Sequence, residues 1–196
     1  MPFYDAIRIG ASGASTGYEV ERSLRFNKSE STDLQRTPSS TGNQKVWTWS
    51  AWFKRWALHA NGGTNYLFSC EPHSGNNGIA ALYIQSDQLY TYFDTTGSNP
   101  YGAVNSRLYR DLGAWMHIVW QVDAANTSQR IWINGVEESL NSGNNPPDYA
   151  YGMNQSGQAM LIGSSGNWGA QTSNTYFAEI HYSDGNKYEA SDFAET

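Results

Sequence analysis

The chain has 196 residues and a formal net charge of −6, with 15% charged and 14% aromatic residues. That length can bury the core of one domain without disulfides or a structural metal, and the single cysteine, Cys70, excludes a disulfide framework. There is no basic run and no aromatic-plus-arginine platform, which argues against nucleic-acid binding, and no apolar run reaches the length of a membrane-spanning helix.

Residues 2–9, "PFYDAIRI", carry Phe3, Tyr4, Ile7 and Ile9, and the small, polar, Gly-rich stretch "GASGASTG" (10–17) follows. A segment this short cannot bury four apolar side chains by itself, so it reads as an arm on a flexible linker. It docks on its own body, a sister subunit or another protein. The predicted division is an arm and linker over 1–20 and one domain over 21–196. With Asp5 and Arg8 and no apolar h-region, the start does not read as a secretion signal, so synthesis in a cytoplasm is expected.

Next, "RSLRFN" (22–27) alternates Leu24 and Phe26 with Ser23 and Arg25. The stretch "KVWTWSAWFKR" (45–55) places Trp47, Trp49, Ala51 and Phe53 on one face of a strand, and Val46, Thr48, Ser50 and Trp52 on the other. Its length predicts a central strand and its inward face a core. Trp52 is left open as a surface residue. "NYLFSC" (65–70) is a short apolar strand with Cys70 as a small buried hydrophobe. "IAALYIQSDQLYTYFD" (79–94) predicts a hairpin about Ser86-Asp87. "WMHIVWQVD" (115–123) turns Met116, Ile118, Trp120 and Val122 to one side. "QRIWINGVEE" (129–138) contains Asn134-Gly135, a strong hairpin signal. The stretch 139–158, "SLNSGNNPPDYAYGMNQSGQ", predicts a long loop with Tyr149 and Tyr151 exposed, and loops of that length tend to be functional. "AMLIG" (159–163) and "TYFAEIHYSDG" (175–185) complete the strands, and "EASDFAE" (189–195) predicts a terminal turn.

The order of "SLRFN", "WTWSAWFKR", "LFSC", "LYIQSDQLYTYF", "WMHIVWQVD", "RIWINGVEE", "LIGSSG" and "YFAEIHYSDG" resembles the laminin-G-like, concanavalin A-like jelly roll over about residues 21–185. The resemblance implies an all-β fold of two antiparallel sheets. "SLRFN", "RTPSSTGNQKVWTWSAWFKR" and "AEIHYSDG…SDFAE", with the opening "MPFYDAIRIGASG", are similar to phrases of a branch common in phage virion proteins, especially those of marine phages. That branch implies a structural role on the particle, in capsid decoration, tail or fibre. On this reading the arm residues Phe3, Tyr4, Ile7 and Ile9 contact other virion proteins, the chain is a homo-oligomer such as a trimer, and its location is the virion. The alternative is a carbohydrate-binding module for a host or other surface. Its candidate residues are Trp168 in "SSGNWGAQTSN" (164–174), Tyr149, Tyr151 and Tyr101, with Trp56 as a further aromatic, because aromatic faces stack on sugar rings.

The E-x-D-x-x-E arrangement used by glucanases of this fold is missing, and Glu137-Glu138 point to opposite faces if extended. The one G-x-S-x-G string, "GASTG" (13–17), lies in the Gly-rich linker and not between a strand and a helix, so it does not read as a nucleophile elbow, and the chain is not expected to be an enzyme. His117 shares a polar strand face with Trp115 and Gln121 and reads as a structural histidine. One cysteine and scattered histidines give little support to zinc. No cofactor is expected, with calcium the candidate ion at "DTTGSNPYGAVN" (94–105) through Asp94 and Asn99.

Overall fold

Alternation of period two dominates the chain, and the computed structural model turns it into strands. It describes residues 22–58, 63–72, 78–96, 100–143, 145–165 and 172–193. The strands are β1 (Leu24–Arg25), β2 (Leu34–Arg36), β3 (Val46–Arg55), β4 (Thr64–Cys70), β5 (Ile79–Gln85), β6 (Gln88–Asp94), β7 (Pro100–Tyr101), β8 (Ala103–Asn105), β9 (Met116–Asp123), β10 (Ser128–Ile133), β11 (Val136–Glu137), β12 (Leu140–Gly143), β13 (Met160–Ile162) and β14 (Thr175–Asp184). They form two antiparallel sheets. The smaller runs β1-β14-β3-β9-β10-β11; the larger runs β12-β8-β6-β5-β4-β13-β2, with β7 also on β6. This is the all-β, two-sheet jelly-roll sandwich that the resemblance implies. The arm residues Phe3, Tyr4, Ile7 and Ile9 lie outside the described residues, as do Trp168 and Asn99.

Between the sheets lies an aromatic core. From β3, Trp47, Trp49, Ala51 and Phe53 are all fully buried. Trp49 stacks on Phe68 of β4, with ring centroids 5.2 Å apart, and Trp47 meets Trp120 of β9 edge-on at 6.0 Å. Burying each ring contributes roughly 2–3 kcal/mol, so the Trp-rich stretch is structural. Cys70 is buried too, and burial pushes its thiol up to about 12.

Two hairpins set the registers. Ser86 and Asp87 both have positive φ (49° and 64°), as do Asn134 and Gly135 (52° and 80°), which is the twist that two-residue hairpin turns require. The first turn is clamped from the other sheet. Arg55, at the end of β3 and 1% exposed, donates through Nη1 to Asp87 Oδ1 at 2.9 Å and to the Tyr109 carbonyl. Arg110 donates from outside to Asp87 Oδ2 at 2.9 Å. Desolvation pushes the Asp87 carboxyl up, but the two guanidiniums outweigh it and hold it below its ordinary value.

The stretch 139–158 departs from the expected open loop. Its first part is edge strand β12, paired with β8. Its later part turns inward: Tyr151 is fully buried, touching Trp47 at 5.9 Å and Phe93 at 5.3 Å, and its hydroxyl donates to the Pro147 carbonyl. Gly152 lies so close to the backbone just after β4 that a Cβ would meet the Glu71 carbonyl oxygen at 1.8 Å. At the start of the domain, "RSLRFN" yields only a two-residue edge strand, in which Leu24 stays half exposed and Phe26 alone is buried.

The outer face of the smaller sheet is covered by the chain itself. Residues 186–193 cross it: Thr48 Oγ1 donates to the Asn186 carbonyl and accepts from the Tyr188 N–H, and Gln121 Nε2 donates to the Tyr188 carbonyl. Lys187 pairs with Asp123 at 2.8 Å, and a 3-10 turn at Ala190–Asp192 sets Phe193 against a cluster of Val119, Trp132 and Ala190. Beneath it, His117 Nε2 sits 2.8 Å from Ser50 Oγ, and its ring packs against Trp52 and Phe193. Burial, with a smaller contribution from His181, pushes the His117 imidazole down to about 4.

In the unfolded chain that imidazole titrates near its ordinary value of about 6.5, so between the two values the unfolded state binds the extra proton. The His117 contribution is complete above about pH 6.5 and is lost as pH falls through 4, by up to about 3 kcal/mol. Urea midpoints measured from pH 7 to pH 4 are expected to fall for the native chain and to flatten across that window for His117→Gln.

Candidate functional site

The larger sheet carries the chemistry that is not spent on the core. Strand pairing places Tyr66 opposite Tyr83, and Tyr83 opposite Tyr90. Tyr92 lies opposite Ala81 and Asp94 opposite Ile79 on the same face. Partners directly opposite share a face. Leu82, Ile84, Leu89 and Phe93 therefore point into the core, and the tyrosines point outward. The ring centroids of Tyr66 and Tyr83 are 5.2 Å apart, and those of Tyr83 and Tyr90 are 5.4 Å apart with planes parallel within 2°. The row runs across the strands, its repeat set by the inter-strand spacing of about 4.8 Å. Tyr66 is nearly covered, whereas Tyr83, Tyr90 and Tyr92 are half-buried.

Because the rings lean on one another, much of their face area is already used. What they offer outward is edges and hydroxyls. Burial raises the phenols of Tyr66, Tyr83 and Tyr92, that of Tyr83 to about 12, so each hydroxyl stays protonated at neutral pH. Tyr92 donates to Asp94 Oδ2 at 3.0 Å, while Asp94 Oδ1 accepts from the Thr96 N–H at 3.0 Å. Gln85 and Gln88 face each other at the turn end of the same face. At the other flank, the Ser164 carbonyl accepts from Ser69 Oγ, and Ser165 hydrogen-bonds the Tyr66 hydroxyl. The segment containing Trp168 thus begins beside the row.

The other residues singled out in the sequence fall elsewhere. Tyr151 is part of the core, and Tyr149 packs edge-on against it at 5.8 Å. Tyr101 lies opposite Phe93, on the core side of the larger sheet, and packs there partly buried. The structure does bring these three tyrosines together, but as an aromatic plug closing the sandwich. They were expected to face a ligand; instead the alternation of β6 and the inward turn after Pro147 direct them to the interior. Both carboxylate oxygens of Asp94 accept intramolecular hydrogen bonds, and no group of three or more His, Cys, Asp or Glu suited to a metal occurs among the described residues.

An open groove of about 550 Å³ lies at the opposite edge, lined by Gln129, Arg130, Glu137, Glu138, Leu140 and neighbours. Its charges are committed to one another. Arg130 holds Glu137 and Glu189, and Glu138 accepts from Arg107 and Asn105. The tyrosine row, with hydroxyls in series, is the stronger candidate.

A family model described as the concanavalin A-like lectin/glucanases superfamily (Laminin_G_3) matches residues 28–187. The chain belongs to that superfamily. Solved structures agree on the fold. A native heptameric SAP-like pentraxin from Limulus polyphemus aligns with TM-score 0.54 at 18% identity, covering 76% of this chain and 68% of its own. The CBM40 of Ruminococcus gnavus IT-sialidase bound to α2,3-sialyllactose aligns at 0.52 and 12% identity, covering 82% and 95%. A leech intramolecular trans-sialidase aligns at 0.56 and 14% identity, covering 87% of this chain and 27% of the enzyme. At such identities the likeness is one of fold. No curated protein sequence matches the chain.

Within this superfamily fold the two groups of tyrosines separate by consequence. Tyr151→Ala, which hollows out the core, is expected to cost roughly 3–5 kcal/mol. Tyr90→Ala, on the half-buried outer face, is expected to cost under about 1.5 kcal/mol. Chemical denaturation of both variants checks this.

Proposed function

We propose that the domain is a carbohydrate-binding module and that the outer face of the larger sheet, at Tyr83, Tyr90 and Tyr92, is where the glycan lies. The observation that carries this reading is the row of tyrosine hydroxyls on a sheet face that the described chain leaves half open. Sugar hydroxyls both donate and accept, as phenols do, and the ring edges provide apolar contact. The superfamily membership and the sialyllactose-bound CBM40 neighbour support the class. Binding is favoured over hydrolysis because glycoside cleavage takes two carboxyl groups, about 5–5.5 Å apart in retaining and about 6.5–9.5 Å in inverting enzymes. Among the described strand residues this face has Asp94 alone. Trp168, in the segment that starts beside Tyr66, is proposed as a further contact. A calcium ion held through Asp94 and Asn99 is a lesser proposal, tested by calorimetric titration of calcium into the chelator-treated chain.

A second reading places this head on a phage particle, attached through residues 1–20. It rests on the phrases "MPFYDAIRIGASG", "SLRFN" and "AEIHYSDG" and on the four apolar residues of the arm. An arm of that kind can add a strand to a partner's sheet edge, and symmetric particle sites favour a homo-oligomer. The two readings are compatible, since an exposed head can hold a glycan.

A glycan array probed with the native chain is expected to give signal that Tyr83→Ala and Tyr90→Ala each reduce at least tenfold at unchanged fold. Signal that survives both substitutions would move the site elsewhere. For the arm, deletion of residues 1–17 is expected to leave cooperative unfolding intact and to abolish incorporation into particles; retained incorporation would contradict the attachment role.

A further inference from the structure

The charges around the tyrosine row decide which glycans fit, an inference that rests on the carbohydrate-binding reading. An acidic sugar brings a carboxylate or sulfate that must trade water for a cation or for aimed N–H groups. The described outer-face positions of β4, β5 and β6 hold Thr64, Tyr66, Ser69, Ile79, Ala81, Tyr83, Gln85, Gln88, Tyr90, Tyr92 and Asp94, with no Lys or Arg among them. The connections that follow these strands and β13 are equally bare. "EPHSGNNG" (71–78), "TTGSNPYG" (95–102) and "GSSGNWGAQTS" (163–173) contain no Lys or Arg.

Cations elsewhere on this sheet are engaged or turned away. Arg107 is held by Glu138 and Arg110 by Asp87. Arg36 of edge strand β2 lies opposite Met160, on the core side of the register. Among the described strand residues of this face the one acidic side chain is Asp94, in a chain of net charge −6. The hydroxyls of Tyr66, Tyr83 and Tyr92 are neutral, and Tyr92 already directs its proton to Asp94. Such a surface matches neutral hydroxyl-rich rings and repels carboxylates at short range.

We infer that the tyrosine row selects neutral oligosaccharides and discriminates against sialylated and other anionic ones. In this it differs from the CBM40 neighbour, whose structure holds sialyllactose. A shared sandwich does not carry a shared ligand, because specificity lies in the side chains mounted on the fold.

The test is titration of the full chain, by NMR or calorimetry, with neutral probes (lactose, cello-, xylo- and laminari-oligosaccharides) and with 3′-sialyllactose, at 20 mM and 300 mM salt. The expected result is that at least one neutral probe binds ten times or more tighter than 3′-sialyllactose, with the gap narrowing at high salt. Gln88→Lys, which adds a cation to the face without touching the tyrosines, is expected to improve the sialylated ligand at least threefold. Sialyllactose binding as tight as or tighter than every neutral probe overturns this inference alone. Absence of binding by every probe, neutral and acidic, overturns the carbohydrate reading and the inference with it.

Discussion

The register of the β5–β6 hairpin is the constraint on which the rest of the molecule depends. Side chains alternate with a period of two, so a slip of one residue would carry Tyr83, Tyr90 and Tyr92 into the core and expel Leu82, Ile84 and Phe93. The turn that fixes the register uses Ser86 and Asp87 rather than glycine, both in the left-handed region, at a cost of roughly 1–2 kcal/mol per residue. The buried Arg55 guanidinium offsets that cost from the opposite sheet by gripping Asp87. A guanidinium so deeply buried is costly unless its partner is present, so the clamp favours one hairpin geometry and ties it to the end of β3.

This division of labour decides which face can act. The smaller sheet hides its outer surface under residues 186–193, where Thr48, Gln121 and Lys187 are satisfied by the chain itself. The larger sheet keeps its outer tyrosines partly in water. The lateral ends of both sheets are blunted by short strands, such as β1, β2 and β11, which limits edge-to-edge association.

Much of the architecture is legible in the amino-acid order. The alternation of "KVWTWSAWFKR" predicts the four inward residues of β3, and Asn134-Gly135 predicts the β10–β11 turn. Placing the hairpin at Ser86-Asp87 also pairs Tyr83 with Tyr90, so half of the row can be read from the hairpin once one asks where its polar-faced tyrosines point. Tyr66 is different. Its pairing depends on a bulge at Leu67 between Tyr66 and Phe68, which no local signal marks. Tyr151 misleads because it sits among Pro, Asn, Asp and Gly, a composition typical of exposed turns. Its inward path is set by long-range contacts: Gly152 against Glu71, and the Tyr151 ring against Trp47 and Phe93. The role of 186–193 as a cover is likewise tertiary, since nothing local in "NKYEASDF" names the sheet it will cross.

The most direct measurement is a crystal structure of the chain soaked with a neutral oligosaccharide. Sugar density is expected to lie across Tyr83, Tyr90 and Tyr92, with ring hydroxyls within hydrogen-bonding distance of the phenols. Density confined to the 94–105 rim, to the Arg130–Glu138 groove or to the smaller sheet would contradict it.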